Sequence, residues 1–137
     1  NNCNILLPVD IITANKLEKN IKTNTSNYDE CPSNQMILDV GQKSIELFKK
    51  AINSSKTILW NGPIGVFEKE PFQTGTHQLA KTIAGSEAFS LAGGGETIAA
   101  INKFINKDEV SYCSTGGGAF LEYMEGKLLP SIEALGG

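Results

Sequence analysis

The sequence predicts an α/β fold in which a parallel sheet lies between helices as a three-layer α/β/α arrangement. Short apolar runs alternate with segments of helical periodicity over most of the chain, and this alternation is typical of parallel sheets. The runs are continuously apolar, as strands that are buried on both faces require. A length of 137 residues with 40% apolar residues fits one domain with a real core.

The candidate strands are apolar runs that end at residues which break regular structure. The first run ends in proline, and the later ones end in glycine or in Asn-Gly-Pro, which are common turn signals. The predicted strands are residues 4–8, 36–40, 57–60, 88–92 and 110–114, with a further apolar stretch at 9–14.

Between these runs, apolar residues recur at helical spacing. Residues 44–53, for example, place Ile45, Phe48 and Ile52 on one side and Lys49 on the other. The polar segment 15–33 shows no such pattern and predicts a surface excursion without chemistry. The predicted helices are residues 44–53, 76–84, 96–106, 120–124 and 131–135.

Charge and cysteine content exclude several classes of protein. A net charge of −3 with no arginine argues against nucleic-acid binding, and no apolar run is long enough to span a membrane. No signal peptide is visible at the N-terminus. The 3 cysteines have no CxxC spacing, so we expect reduced thiols in the cytoplasm rather than a zinc site or disulfide framework.

Three predicted strand ends carry unusual turns. They are residues 61–65 (NGPIG), 93–95 (GGG) and 116–118 (GGG), and the two triplets each lie between a strand and a helix. Glycine lets backbone N–H groups approach a ligand closely, and a helix N-terminus favours an anion such as phosphate. Ligands of open α/β sheets bind at this edge.

Each triplet alone is equally well explained as a tight turn. Two triplets at equivalent turns favour an anion site, because every additional glycine costs about 0.5–1 kcal/mol of backbone entropy relative to alanine. Neither GxGxxG after the first strand nor GxxxxGK[ST] is present, so the common nucleotide motifs do not apply.

The same segments resemble signature sequences of the phosphoglycerate kinases, in the family's order and over nearly the whole chain. The matching segments are residues 5–10 (ILLPVD), 38–41 (LDVG), 60–68 (WNGPIGVFE), 93–97 (GGGET), 114–119 (STGGGA) and 121–130 (LEYMEGKLLP).

The resemblance implies a two-domain kinase whose C-terminal domain has a Rossmann-like fold and binds Mg-ATP or Mg-ADP. Residues 1–137 would be the C-terminal portion of that nucleotide-binding domain. The N-terminal domain, which binds 3-phosphoglycerate or 1,3-bisphosphoglycerate, would lie outside the chain. So would the lysine that the family uses on the transferred phosphate.

On the nucleoside side, the resemblance implies that Glu68 binds the ribose and that Pro63, Val66 and Leu38 line an apolar pocket wall, together with Ile64. Asn61 would contact the nucleotide phosphates. Without the resemblance, Glu68 is a solvated surface residue, Asn61 is turn chemistry and the apolar residues are ordinary core.

On the phosphate side, the resemblance assigns the β-phosphate region to the second turn. Gly116 and Gly117 of the third turn would direct N–H groups at the phosphoryl group in transfer and so act as catalytic residues. The residues of the second turn are Gly93, Gly94, Gly95 and Thr97 for the nucleotide, and Glu96 for Mg²⁺ as well.

Three positions depart from the family pattern. Glu96 stands where aspartate is usual, and its extra methylene changes the reach to Mg²⁺. Ile37 stands where many members have glycine near the adenine, which would narrow the pocket. Gln42 replaces a frequent proline at a helix start.

The leading hypothesis is therefore a cytoplasmic, glycolytic kinase segment that binds ATP or ADP with Mg²⁺. The alternative is a non-catalytic nucleotide-binding or interaction module that retains only the fold. A third possibility, an unrelated α/β phosphate binder, would bind anions without preferring adenine.

Overall fold

A computed structural model describes residues 2–136. Within this range, strands and helices alternate from residue 36 onward, as the sequence predicts. None of the helices within it has the length and apolar character needed to cross a membrane. The strands are β1 (Asp10–Ala14), β2 (Asn24–Asn27), β3 (Met36–Val40), β4 (Thr57–Asn61), β5 (Phe89–Gly93) and β6 (Tyr112–Ser114). The helices are α1 (Gln42–Ser54), α2 (Thr74–Ala84), α3 (Gly95–Phe104), α4 (Gly118–Met124) and α5 (Pro130–Ala134).

The second part of the chain forms the predicted parallel sheet, in the order β4-β5-β6. Strand β4 leads through α2 to β5, and β5 leads through α3 to β6. Trp60 pairs with Ala92, and Ala92 pairs with Cys113, across the three strands. This row packs against Ile83 of α2 and Ile101 of α3 in the main apolar core. The α/β class and the parallel pairing are thus confirmed.

The first part of the chain forms a separate antiparallel sheet, in the order β2-β1-β3. The prediction that residues 36–40 join the parallel sheet is therefore wrong. A parallel neighbour needs a long crossover, which is usually a helix, whereas an antiparallel neighbour does not. The polar segment between β1 and β3 contains no helix and instead supplies β2, which pairs with β1. The segment is thus largely exposed, as predicted, and part of it is an edge strand.

The predicted strand at residues 4–8 is also absent. Ile5 and Leu7 are 80% and 69% exposed, and no strand covers this segment. Pro8 removes one backbone donor, which disfavours strand pairing. The apolar stretch that follows it does form a strand, β1, because its residues find partners on both sides.

Helical cover of the parallel sheet is unequal on its two faces. Helices α2 and α3 pack on one face, whereas on the other face α4 brings Phe120, Tyr123 and Met124 over part of β5 and β6. On that second face Leu59, Phe89 and Tyr112 stay 47%, 53% and 56% exposed. Leu59 and Tyr112 flank Leu91 in a single row across the sheet. We call Leu59, Phe89 and Tyr112 the open face.

We expect the isolated chain to associate through the open face at high concentration, because burying exposed apolar surface is favourable by about 25 cal/mol per Å². Replacing all three open-face residues with threonine should shift sedimentation equilibrium toward the monomer. The free energy of unfolding should change by only about 0.5 kcal/mol per residue, as for surface positions in general.

The matched control carries threonine at Leu7, Leu17 and Tyr28, which are also large exposed apolar residues but lie outside the parallel sheet. This control should associate as the parent chain does. Equal dissociation of the two variants, or a parent chain that is monomeric at every concentration, would contradict the prediction.

Candidate functional site

The three predicted turns meet at one edge of the parallel sheet. Asn61 at the end of β4 pairs with Gly93 at the end of β5, and Gly93 pairs with Ser114 at the end of β6. Because the strands are parallel, all three carboxyl ends face the same side. The prediction that the two glycine triplets share one edge is confirmed, and a ligand at this edge can contact all three turns.

The first glycine triplet combines three different requirements. A Cβ atom at Gly93 would lie 2.3 Å from the Phe120 ring, so glycine is needed there for the packing of α4. Gly94 has a φ of 97°, a value that favours glycine, and directly precedes α3. Gly95 has open space within 4 Å. Neither packing nor backbone strain explains Gly95. Because glycine has no side chain, the N–H at the start of α3 is not covered by one.

The second triplet repeats part of this arrangement. Gly117 has a φ of 55° and directly precedes α4, while Gly118 again has open space within 4 Å. A Cβ atom at Gly116 would lie 3.4 Å from the Ser114 hydroxyl, and the Gly116 N–H donates to that hydroxyl at 3.2 Å. One of the two N–H groups that the resemblance assigns to the phosphoryl group therefore already has a partner.

The 61–68 loop runs from β4 along the same edge and is held from several elements. Gly62 N–H donates to the Thr97 hydroxyl of α3 at 2.7 Å. Ile64 N–H donates to the Thr76 hydroxyl of α2 at 2.9 Å. Val66 N–H donates to the Leu38 carbonyl of β3, also at 2.9 Å. The loop is therefore fixed to α2, α3 and β3.

The far end of the loop is held by Lys103 of α3. Its ammonium group donates to the Phe67 carbonyl at 2.7 Å and lies 5.8 Å from the Phe67 ring centroid and 5.3 Å from that of Phe104. The second ring also stacks on His77 of α2. These contacts fix the backbone immediately before Glu68.

Thr97 has a role that the sequence does not reveal. The resemblance assigns its hydroxyl to the nucleotide, yet the side chain is only 1% exposed and accepts the Gly62 N–H. The hydroxyl proton stays available to donate. The residue thus joins α3 to the 61–68 loop, and its assigned contact with a phosphate stays a prediction.

The apolar residues of the predicted pocket come together in part. Leu38 is buried in a small cluster with Ala14 and Phe72, and Val66 packs against this cluster. Pro63 and Ile64 are half-buried on the same loop. Ile37, the neighbour of Leu38 on β3, is 56% exposed.

The two candidate carboxylates, Glu68 and Glu96, are both exposed. Neither takes part in the ion pairs found within residues 2–136. Glu96 lies in the first turn of α3, next to the uncovered N–H of Gly95. Over the same range, no three His, Cys, Asp or Glu side chains gather to hold a metal ion.

Sequence reasoning missed three residues that hold the site together: Thr76, Lys103 and Asp39. Asp39 carried a usable signal, because a charged residue within the apolar run MILDV is unusual in a buried strand. Thr76 and Lys103 carried none, since threonine and lysine are ordinary on amphipathic helices.

The sequence model of the family described as "Phosphoglycerate kinase" matches residues 1–127 of the chain. The chain belongs to the phosphoglycerate kinase family. It is 48% identical over 134 residues to the phosphoglycerate kinase of Coxiella burnetii, covering 98% of this chain and 34% of that protein. It is 52% identical over 132 residues to that of Francisella philomiragia, covering 96% of this chain and 34% of that protein.

Solved phosphoglycerate kinase structures have the same fold. That of the Coxiella burnetii enzyme superposes with a TM-score of 0.88 at 50% identity, over 93% of this chain and 33% of that one. That of the Pyrococcus horikoshii enzyme gives a TM-score of 0.77 at 35% identity, over 93% of this chain and 31% of that one. The chain spans about a third of the length of these phosphoglycerate kinases.

We expect Thr97→Val to lower the free energy of unfolding by about 1–2 kcal/mol, because the Gly62 N–H loses its acceptor. Thr97→Ser keeps the hydroxyl and is the matched control, with a smaller loss from one deleted methyl group. Urea denaturation followed by the fluorescence of Trp60, which precedes the loop, measures both. A Thr97→Val variant as stable as the parent chain would show that the bond contributes nothing.

Proposed function

We propose that this chain is the nucleotide-binding part of a phosphoglycerate kinase. That enzyme reversibly transfers phosphate between 1,3-bisphosphoglycerate and ADP in glycolysis, giving 3-phosphoglycerate and ATP. The observation that carries the proposal is the meeting of two glycine turns and an anchored apolar loop at one sheet edge. We infer a cytoplasmic location from the glycolytic reaction.

The start of α3 is the proposed site for the nucleotide phosphates. Gly95 has open space around it, and α3 has no side-chain cap of its own. Uncapped N–H groups and the positive end of the helix favour an anion. Asn61 lies beside this turn, with its side-chain oxygen 3.4 Å from the position of a Cβ at Gly94. We propose that Asn61 helps to orient the phosphates there.

Glu96 is the proposed protein ligand of Mg²⁺. This ion is usually held by one or two carboxylates together with substrate phosphates and waters, rather than by an all-protein cage. One exposed carboxylate beside a phosphate site fits that pattern. When bound with the nucleotide, Mg²⁺ would neutralise part of the phosphate charge.

The 61–68 loop is the proposed nucleoside side of the site. Leu38, Pro63 and Val66 would form an apolar wall against the base, and Glu68 would accept hydrogen bonds from the ribose. The packing of Val66 against the buried cluster that contains Leu38 supports the wall. The exposed carboxylate of Glu68, on backbone fixed by Lys103, supports the ribose contact.

Phosphoryl transfer depends mostly on positioning and on stabilising the charge that develops. We propose that Gly117 contributes its backbone N–H group to the phosphoryl group in transfer, and that Gly116 does so once its N–H leaves the Ser114 hydroxyl. In a protein as long as the relatives, the remaining two-thirds of the chain would bind the second substrate and supply further cationic groups. This chain has no arginine to contribute.

A non-catalytic nucleotide-binding module is the second candidate. It is favoured by one observation, which is that the chain contains no arginine to contact a phosphoryl group in transfer. We expect the isolated chain to bind ADP without catalysing turnover. Turnover at the rate of a full-length family member would contradict this expectation.

We expect Glu68→Gln to weaken ADP binding about tenfold, because a charge-assisted hydrogen bond contributes about 1.5–3 kcal/mol. Isothermal titration calorimetry of the 137-residue chain with Mg-ADP measures the affinity. Glu70→Gln is the matched control, since Glu70 is also exposed and lies two residues further on. Equal affinities of the two variants would show that Glu68 is a solvated surface residue without a role in binding.

A further inference from the structure

Asp39 is a buried carboxylate that the proposed nucleotide site does not use. It lies on β3 and is only 2% exposed. Its side chain accepts the N–H of Gly75 at 2.9 Å and that of Val40 at 2.8 Å. Gly75 is in the first turn of α2, a helix without a side-chain cap on its own chain segment. Asp39 therefore caps α2 from a different element.

The 61–68 loop lies directly against the same carboxylate. A Cβ atom at Gly65 would be 2.6 Å from Asp39 Oδ1 and 2.7 Å from the Leu38 carbonyl. The next loop residue, Val66, donates its N–H to that carbonyl. Thr76, one residue beyond the Asp39 contact on α2, holds Ile64. The Asp39 carboxylate thus lies against both the loop and the part of α2 that anchors it.

We propose that Asp39 is a positioning residue for nucleotide binding, and that the charge on its carboxyl group couples the conformation of the 61–68 loop to pH. The claim that Asp39 positions residues for nucleotide binding rests on the proposed function. Its structural part, the coupling between carboxyl charge and loop, can be tested without any nucleotide.

Burial and hydrogen bonding have opposite effects on the pKa of Asp39, and the effect of burial is the larger. Burial raises the pKa of Asp39 from 3.8 to about 6, although N–H groups of Gly75, Val40 and Thr74 favour the ionised form. Asp10 of β1 and Lys43 of α1 are the charged groups lining the same cavity of about 510 Å³. The Asp10 carboxylate is itself bound by N–H groups of α1.

Ionisation should affect stability and loop anchoring in opposite directions. Because the pKa is raised on folding, the folded chain binds more protons than the unfolded chain between about pH 4 and 6. The contribution of Asp39 to stability therefore falls as pH rises through 6. The ionised carboxylate, however, can accept N–H groups at both oxygens, whereas the protonated group turns one O–H toward a donor. We expect the loop to be held best above pH 6.

The nucleotide-free chain tests the coupling by NMR. The Asp39 carboxyl carbon and the amides of Gly62, Gly65 and Glu68 should titrate together, with midpoints near the pKa of about 6. Asp39→Asn should abolish the loop titration. Asp108→Asn, at an exposed aspartate, should preserve it. Loop amides that do not follow the Asp39 carbon in the parent chain would overturn the proposal, whether or not the Asp39 variant folds.

Adenosine is the binding probe, because it carries no phosphate that titrates in this range. If only the ionised form binds, a pKa of about 6 predicts affinity about fourfold weaker at pH 5.5 than at pH 7.5. The parent chain and Asp108→Asn should both show this change, whereas Asp39→Asn should show none.

The outcomes separate the two claims. Binding of adenosine with the same pH dependence in parent and Asp39→Asn would overturn the positioning role while leaving the proposed function intact. No binding of adenosine or Mg-ADP by the parent at either pH would count against the proposed function, and the loop amides alone would then decide the coupling. A merely structural role would instead move stability and affinity in the same direction.

Discussion

The parallel register of β4, β5 and β6 is the constraint on which the candidate site depends. Parallel pairing of Asn61 with Gly93 and of Gly93 with Ser114 brings three chain turns to one edge. Because helices follow two of these turns directly, the same register also aligns the starts of α3 and α4. Antiparallel pairing of β4 with β5 would send one of the turns to the opposite edge and remove the phosphate site.

The antiparallel sheet gives the site its second support. Its strand β3 presents Leu38 and Asp39, one apolar and one charged, to the 61–68 loop and to α2. A buried carboxylate is unfavourable unless its oxygens accept hydrogen bonds, and here the donors come from α2 and from β3 itself. The cost of burying the charge is thus offset only when both elements are in place, so Asp39 links the position of β3 to that of α2. The 61–68 loop is hydrogen-bonded to both of these elements.

Glycines around the site serve several purposes, and a ligand explains only some of them. Gly93 makes room for Phe120, while Gly65 and Gly75 make room for Asp39. Gly95 and Gly118 have neither a close neighbour nor a positive φ. The entropic argument for an anion site therefore rests on these last two positions rather than on both triplets as wholes.

The sequence by itself determined the α/β class, the strands and helices beyond residue 36, the shared edge of the glycine turns and the family. These follow from local periodicity, turn chemistry and motif order, all of which depend only on the order of residues along the chain. Only the tertiary structure decided that residues 36–40 pair antiparallel with β1 and that residues 4–8 find no partner, since pairing depends on which strands are available nearby. It also decided that Thr97 holds Gly62 and that Asp39 caps α2. A hydroxyl or a carboxylate acquires such a role only when a distant N–H group is brought within hydrogen-bonding distance, and no local pattern encodes that distance.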